Sequence, residues 1–244
     1  MFWTRIPFFP VWPERVDLDG VAVLLRDTPL SARSRRRLLR GHYETAEREL
    51  VKSFIRPGDQ VLELGASIGV VTCFIARATT PSGRVVCVEA DERLQPSFKR
   101  QLEANHLRAE WVCALGCPLW TANVPAELER MSFLPHESNL SGRVVKGRSP
   151  GERNRWLTAE AVCARAKLQP TVVVIDIEGA ERIWLSHSPR FPTSVRVLIA
   201  EFHPHLTGAA DAGRAMQAIV REGFEIAAMS GSVVAFLRPG STTQ

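Results

Sequence analysis

The sequence predicts a doubly wound α/β domain on a mostly parallel sheet that closes with an antiparallel hairpin. Three observations carry this expectation. From Gln60 onward, apolar runs of strand length alternate with helical apolar stripes, the order of a parallel sheet covered by helices on both faces. The first run, Gln60–Leu64, breaks into Gly65-Ala-Ser-Ile-Gly69 ahead of a helical stripe, as where a strand turns sharply into a helix. The last two runs, FEIAAM and SVVAFLR, flank Ser230-Gly231 within Phe224–Arg238, a hairpin pattern.

The elements follow in order. Residues 1–40 read as an extended arm, a short hairpin in RVDLDGVAVLLRD turning at Asp19-Gly20, and a basic helix. In HYETAERELVKSFIRPGD, Ala46, Leu50, Val51, Phe54 and Ile55 make a helical stripe that Pro57-Gly58 stops. Strand QVLEL leads into helix GVVTCFIARA, and PSG breaks it. Strand RVVCVEA, a helix from about Gln95 to His106, and strand AEWVCAL come next. After a long interval follow strand TVVVIDI, a short helix around Ala180–Leu185, strand VRVLIAEF and a helix near Ala210–Glu222. The domain is therefore placed at residues 41–244. Its interval 116–170, too long for a plain connection and too patterned for disorder, is expected to shape an acceptor site.

Composition narrows the class. The chain has 244 residues, of which 45% are hydrophobic, which suits one sizeable packed domain with a short extension. No apolar run reaches the roughly 18–20 residues of a membrane span. The stretch MFWTRIPFFPVWPERV is apolar but interrupted by Arg5, Pro7, Pro10 and Pro13. It lacks a signal-peptide core and reads as a packed arm. Cys73, Cys87, Cys113, Cys117 and Cys163 include no CxxC pair, so neither a disulfide framework nor a zinc site is indicated, and the cytoplasm is the expected compartment. Net charge is +5. The densest basic run, Ser31–Arg40, reads first as the solvated face of a helix burying Leu38 and Leu39, and second as contact with an anionic partner. One basic cluster without interleaved aromatics is a weak nucleic-acid signal. Oligomeric state is left open.

Ligands of open α/β sheets lie beyond the carboxyl ends of the strands, where Glu63, Gly65, Ser67 and Gly69 fall. Gly65 permits a close backbone approach, and Gly69 lets the helix pack tightly. A nicotinamide site wants G-x-G-x-x-G, but here Ser67 stands in the middle and the spacing is G-x-x-x-G. Glu63 would repel a pyrophosphate and attract an ammonium or sulfonium, which favours S-adenosylmethionine (SAM). Glu89 lies 24 residues after Gly65, about where a carboxylate takes the ribose hydroxyls of either cofactor. Ala90 leaves room for adenine. Ala114, in Cys113-Ala114-Leu115, reads equally as an adenine wall or as core.

The segments HYETAERELVKSFIRPGDQVLELGASIGVVTCFIAR, VVCVEAD and above all VVVIDIEGAE resemble the FkbM-type family of SAM-dependent methyltransferases, over roughly Gly41 to Pro204. The resemblance implies the class I methyltransferase (Rossmann-like) seven-stranded sheet. It also implies O-methylation of hydroxyls on sugars, polyketides and other secondary metabolites. It assigns Glu63, Gly65, Ala66, Ser67 and Gly69 to the SAM loop, Glu89 to the ribose, and Tyr43-Glu44 to an aromatic–Glu pair folded over the cofactor. Ser67 stands where the family more often has Asn, and Glu63 where Asp is common. In WLTAEAV, Trp156–Val162, the usual acids are missing.

Methyl transfer needs an aligned acceptor, and a hydroxyl acceptor benefits from a base. Asp176, at the fourth strand's end, is the first candidate, and Glu178 shares the role. Glu181 reads either as a partner or as an acid in the first turn of the next helix. Glu201 and His203 point the same way off the fifth strand, and His203 is the alternative base. His205 is expected to be exposed. Asp176, Glu201 and His203 could bind a divalent metal, but the spacing does not demand one, and no metal is assigned. HESNLSG, His136–Gly142, is a candidate acceptor contact or a plain turn. The expected reaction is methylation of a small hydroxylated molecule. The rivals are an NAD(P)-dependent oxidoreductase and a SAM-binding protein without catalysis. A nucleic-acid acceptor is the weaker third, since there is no NPPY-like motif.

Overall fold

A computed structural model of the chain describes residues 12–134, 143–146 and 156–240. The expected arm up to Val11 and the candidate turn His136–Gly142 lie outside the described residues. A hairpin of β1 (Arg15–Leu18) and β2 (Val21–Leu24) comes first. Its two turn residues, Asp19 at φ 49° and Gly20 at φ 81°, are both left-handed, the backbone a tight hairpin requires. Helices α1 (Ala32–Leu39) and α2 (Thr45–Phe54) follow. Then β3 (Gln60–Leu64), α3 (Val70–Thr79), β4 (Arg84–Glu89), α4 (Gln95–Ala104) and β5 (Glu110–Cys113) alternate.

The long interval is ordered where described. It holds β6 (Leu115–Cys117), α5 (Ala126–Glu129), β7 (Met131–Leu134), β8 (Arg143–Lys146), β9 (Trp156–Thr158) and α6 (Ala159–Ala166). The domain resumes with β10 (Val172–Ile175), a 3₁₀ helix at Ala180–Leu185, and β11 (Val197–Glu201). It ends with α7 (Pro204–Thr207), α8 (Ala209–Arg221), β12 (Glu225–Ser230) and β13 (Val233–Leu237).

The central sheet has seven strands in the order β12-β13-β11-β10-β3-β4-β5. The run from β11 to β5 is parallel, and β13 is antiparallel to both its neighbours. This is the class I methyltransferase sheet with its C-terminal antiparallel hairpin. Along the central strands, alternate side chains enter opposite layers. Leu62, Leu64, Val173 and Ile175 join one apolar layer with Trp184 and Phe202. Val61, Val172 and Val174 join the other with Phe74 and Phe98. Both faces are therefore dry, which explains the continuous apolar runs.

The β1–β2 hairpin packs on this body. The backbone N–H groups of Ala22 and Leu24 donate to Asn105 Oδ1 and Gln101 Oε1, each at 2.8 Å. Arg48 and Lys52 of α2 both reach Asp19. Among the described residues no helix is long and apolar enough to cross a membrane.

Two sequence expectations need correction. Leu38 is buried but Leu39 is 44% exposed, because neighbouring positions on α1 fall on different faces. The run AEWVCAL is two strands. β5 stops at Cys113, and Leu115–Cys117 leaves the sheet to pair with Trp156–Thr158. Gly116 makes the crossing feasible, since a Cβ there would come within 3.2 Å of Leu64 Cδ2.

The tightest approach is at Gly65, φ +92°, where a Cβ would lie 1.6 Å from the Asp176 carbonyl oxygen. Gly65→Ala is expected to destabilise the fold by at least about 3 kcal/mol, the range of a backbone clash added to a strained φ. Gly41, φ +72°, has nothing within 4 Å of the same atom, so Gly41→Ala should cost only about 1 kcal/mol. Urea denaturation of the two variants checks the difference; equal losses would contradict the geometry.

Candidate active site

The strand order reverses between β3 and β10, so the next elements on either side diverge and leave a crevice there. A cavity of about 730 Å³ occupies it. One end is formed by the glycine turn and the ends of β4 and β5. Gly65, Ala66, Ser67, Glu89, Ala90 and Ala114 line it. Glu89 is 8% exposed. Its Oε2 accepts the Ser67 backbone N–H and its Oε1 that of Asp91, each at 2.8 Å. Burial pushes this carboxyl upward, while the N–H groups of Asp91, Ser67 and Ala90 oppose the shift. With three N–H donors on about four acceptor sites, the carboxylate keeps a lone pair for a ligand hydroxyl. Ser67 has φ 49°, and its buried Oγ has no hydrogen-bond partner.

Two residues read into this end stand elsewhere. Glu63 is absent from the cavity wall. It is 2% exposed, facing α3, and its Oε2 accepts from Thr72 Oγ1 at 2.6 Å and from Cys87 Sγ at 3.1 Å. Strand alternation decides this: Leu62 and Leu64 enter the opposite layer, and Glu63 between them points into the α3 layer. Burial pushes its carboxyl to about 7, against the stabilising bonds from Thr72 and Cys87. Gly69 is also off the wall; a Cβ there would sit 2.8 Å from Phe98 Cδ2, so its role is packing of α3 on α4.

The other end gathers acids. Tyr43, Glu44 and Glu47 come from the start of α2, Asp176 and Glu178 from the β10 end, and Glu201 and His203 from the β11 end; all line the cavity. The Asp176 backbone N–H still donates to Leu64 at 2.8 Å, so the sheet ladder fixes it. His203 is 4% exposed. Its Nδ1 lies 3.1 Å from Glu181 Oε1, which also accepts the His203 backbone N–H at 2.9 Å. Its Nε2 faces Asp176 Oδ1 at 3.4 Å and Glu178 Oε2 at 3.5 Å. Glu201 Oε2 is 3.9 Å from Nε2, and Ser232 Oγ donates to Glu201 Oε1 at 2.9 Å.

Glu181 does not face the cavity; it stands in the first turn of the 3₁₀ helix Ala180–Leu185, one of the two positions expected for it. It is 1% exposed, and its Oε2 accepts the Gly179 N–H at 2.8 Å. It orients His203. His205 is exposed at the rim, as expected. Glu47 was not singled out from the sequence; its helical spacing from Tyr43 and Glu44 was the available signal. The Ser230–Ser232 turn and Trp156 also reach the wall.

So many carboxyls in one place cannot all ionise easily. Burial, then Glu201 and Glu178, hold Asp176 well above the ordinary range. Burial, then Glu201, raises Glu44. Burial raises Glu178, with His203 opposing. Burial alone would lower His203, but the hydrogen bond and charge of Glu181, with Glu178 and Glu201, raise it.

The family model of protein-L-isoaspartate(D-aspartate) O-methyltransferase matches residues 25–126. That span holds the glycine turn and Glu89 and ends before Asp176 and His203. No curated relative matches the chain. Among solved structures, fibrillarin of Aeropyrum pernix with natively bound SAM is 12% identical, covering 78% of this chain and 73% of that one at TM-score 0.45. A TehB-like SAM-dependent methyltransferase of Corynebacterium glutamicum is 12% identical over 85% and 95%, at 0.44. Precorrin-6y C5,15-methyltransferase of Geobacter metallireducens is 14% identical over 78% and 87%, at 0.45. These are likenesses in outline only. The chain's own strand order carries the class I methyltransferase fold, and one end of its cavity holds the glycine turn, the unpartnered Ser67 hydroxyl and the Glu89 carboxylate.

Glu47, 7% exposed, gives a pH test. Burial, then Glu44 and Glu201, push it from 4.5 to about 9. A raised carboxyl binds a proton on folding, so its stabilisation is complete below about pH 4.5 and is lost as pH rises through 9. Glu47→Gln lacks that loss. Its melting temperature should exceed the parent's by more at pH 8 than at pH 5; equal differences would contradict the placement.

Proposed function

We propose that this chain is a SAM-dependent methyltransferase that methylates a hydroxyl of a small molecule such as a sugar or secondary metabolite, as the FkbM-type resemblance implies. One observation carries the reading: a single cavity joins a cofactor-shaped strand–turn–helix end to an acid–imidazole end. SAM supplies a methyl group on a sulfonium, open to in-line displacement by a positioned acceptor. Gly65, Ala66, Ser67 and Gly69 shape the turn that receives it, Glu89 takes its ribose hydroxyls, and Ala90 and Ala114 flank its adenine. Tyr43 and Glu44 cover it from α2. Glu63 supports the turn from behind.

At the other end, Asp176, Glu178, Glu201 and His203 orient the acceptor hydroxyl and take its proton. Methylation of a protein carboxylate, the activity named by the matching family model, is the second reading. The acid end weighs against it. An anionic carboxylate would enter among Asp176, Glu178 and Glu201 at a Coulombic cost that a neutral hydroxyl avoids. A nicotinamide cofactor would bring a pyrophosphate to a cavity with the same acids. The five free cysteines suit a reducing cytoplasm.

Calorimetry with SAM should give saturable binding that Glu89→Ala weakens by about 1–3 kcal/mol, the loss of charge-assisted hydrogen bonds. Binding of NAD(P) in place of SAM would overturn the reading. Asp176→Asn should keep SAM affinity within twofold and lower the transfer rate by about 10²-fold or more on a hydroxylated-metabolite panel. Turnover of an isoaspartyl peptide with no turnover of hydroxylated acceptors would favour the second reading.

A further inference from the structure

We propose that His203, Asp176 and Glu178 form a binding site for one divalent metal ion. The site goes beyond the methyl-transfer reading and does not depend on which donor the glycine turn holds.

The orientation of His203 comes first. Its side chain is 5% exposed, and Nδ1 lies 3.1 Å from Glu181 Oε1. Glu181 Oε1 already accepts the His203 backbone N–H, so it accepts from Nδ1 as well, and in the neutral ring Nε2 is then the nitrogen with a lone pair. A ligand histidine held at its other nitrogen by a buried carboxylate is the usual supporting arrangement of metal sites. The same Glu181 oxygen binds the His203 backbone N–H, so the ring has little freedom.

The free nitrogen is aimed at oxygens rather than donors. Nε2 lies 3.4 Å from Asp176 Oδ1 and 3.5 Å from Glu178 Oε2. Asp176 Oδ1, which faces Nε2, is shielded from solvent and makes no hydrogen bond, although the Asp176 side chain as a whole is 35% exposed. All three ligand atoms lie within 4.8 Å of one another. Two atoms each about 2.1 Å from one ion, at a tetrahedral angle, stand about 3.4 Å apart. The two measured separations agree with that figure. Atoms so placed need positive charge among them, which either a proton on the imidazole or a bound cation supplies. Three protein ligands also leave a fourth position open, the arrangement of metal sites that act on a substrate. One imidazole with two carboxylates suits Zn²⁺ or Mn²⁺ better than Ca²⁺.

The test uses the full chain stripped with chelator and titrated with ZnCl₂ and with MnCl₂ by calorimetry, with Mn²⁺ also followed by electron paramagnetic resonance. One ion per chain is expected. Asp176→Asn and Glu178→Gln should each weaken it at least tenfold while far-ultraviolet circular dichroism stays unchanged. Glu178→Gln keeps volume at a side chain 31% exposed, so it decides the matter alone if Asp176→Asn does not fold. Glu181→Gln, a change at a positioning residue, should weaken the ion about 10–100-fold. Absence of saturable binding for both ions, or binding that Glu178→Gln leaves within twofold, would overturn the site; the cluster then holds a shared proton. SAM titrated into the same stripped samples separates the proposals: SAM binding without ion binding removes the metal site and leaves the methyl-transfer reading standing.

Discussion

Everything at this site hangs on a backbone contact. Gly65 turns against the Asp176 carbonyl so closely that a Cβ would lie 1.6 Å from its oxygen. The contact extends the parallel register of Leu64 with Ile175 by one more bond, from the Asp176 N–H to the Leu64 carbonyl. The cofactor-shaped turn and the first acid of the opposite end are therefore neighbours in one hydrogen-bonded ladder. Their separation is set by sheet geometry, not by loops. Methyl transfer tolerates little misplacement, and a ladder at a dry sheet centre is the stiffest support the fold offers.

The acid end is held differently. Glu44, Glu47, Asp176, Glu178 and Glu201 approach from three elements, and burial pushes four of them upward. Such a cluster costs stability. The sheet can carry that cost because both its layers are apolar and closed, from Phe202 and Trp184 on one side to Phe74 and Phe98 on the other. Glu181 differs from the rest. It has three donors on its two oxygens: the backbone N–H groups of Gly179 and His203 and the His203 ring. One fully partnered acid thus fixes the imidazole that the less partnered acids surround.

The sequence made some of this legible and hid the rest for physical reasons. Runs such as VVVI and VLIA betrayed parallel strands because both their faces are buried. Gly65 marked its turn because no other residue fits there. Glu89 was readable because a strand-end acid after a glycine turn has a fixed reach. The break of AEWVCAL was hidden, since Leu115 is as apolar as the strand residues before it and only its pairing with Trp156 separates it. The burial of Glu47 and of Glu181 was hidden because acids early in a helix are ordinary at the surface. Only the tertiary fold shows that both are buried. Convergence of α2 with the ends of β10 and β11 is a long-range fact that no local pattern encodes.

Glu63 alters how the glycine turn selects its ligand. An acid so near the turn suggested a charge acting directly on the bound group. In the fold it ties β3 to α3 through Thr72 and to β4 through Cys87, and burial brings its carboxyl to about 7. Burial therefore works against its charge, and no cavity wall is formed by it. Discrimination must come from what does face the cavity. On the proposed reading, Glu89 takes vicinal hydroxyls, the unpartnered Ser67 hydroxyl takes a polar group, and the acids beyond disfavour phosphates. A sulfonium nucleoside meets all three demands. A dinucleotide meets the first two and fails the third, so the preference that Glu63 first suggested survives on different residues.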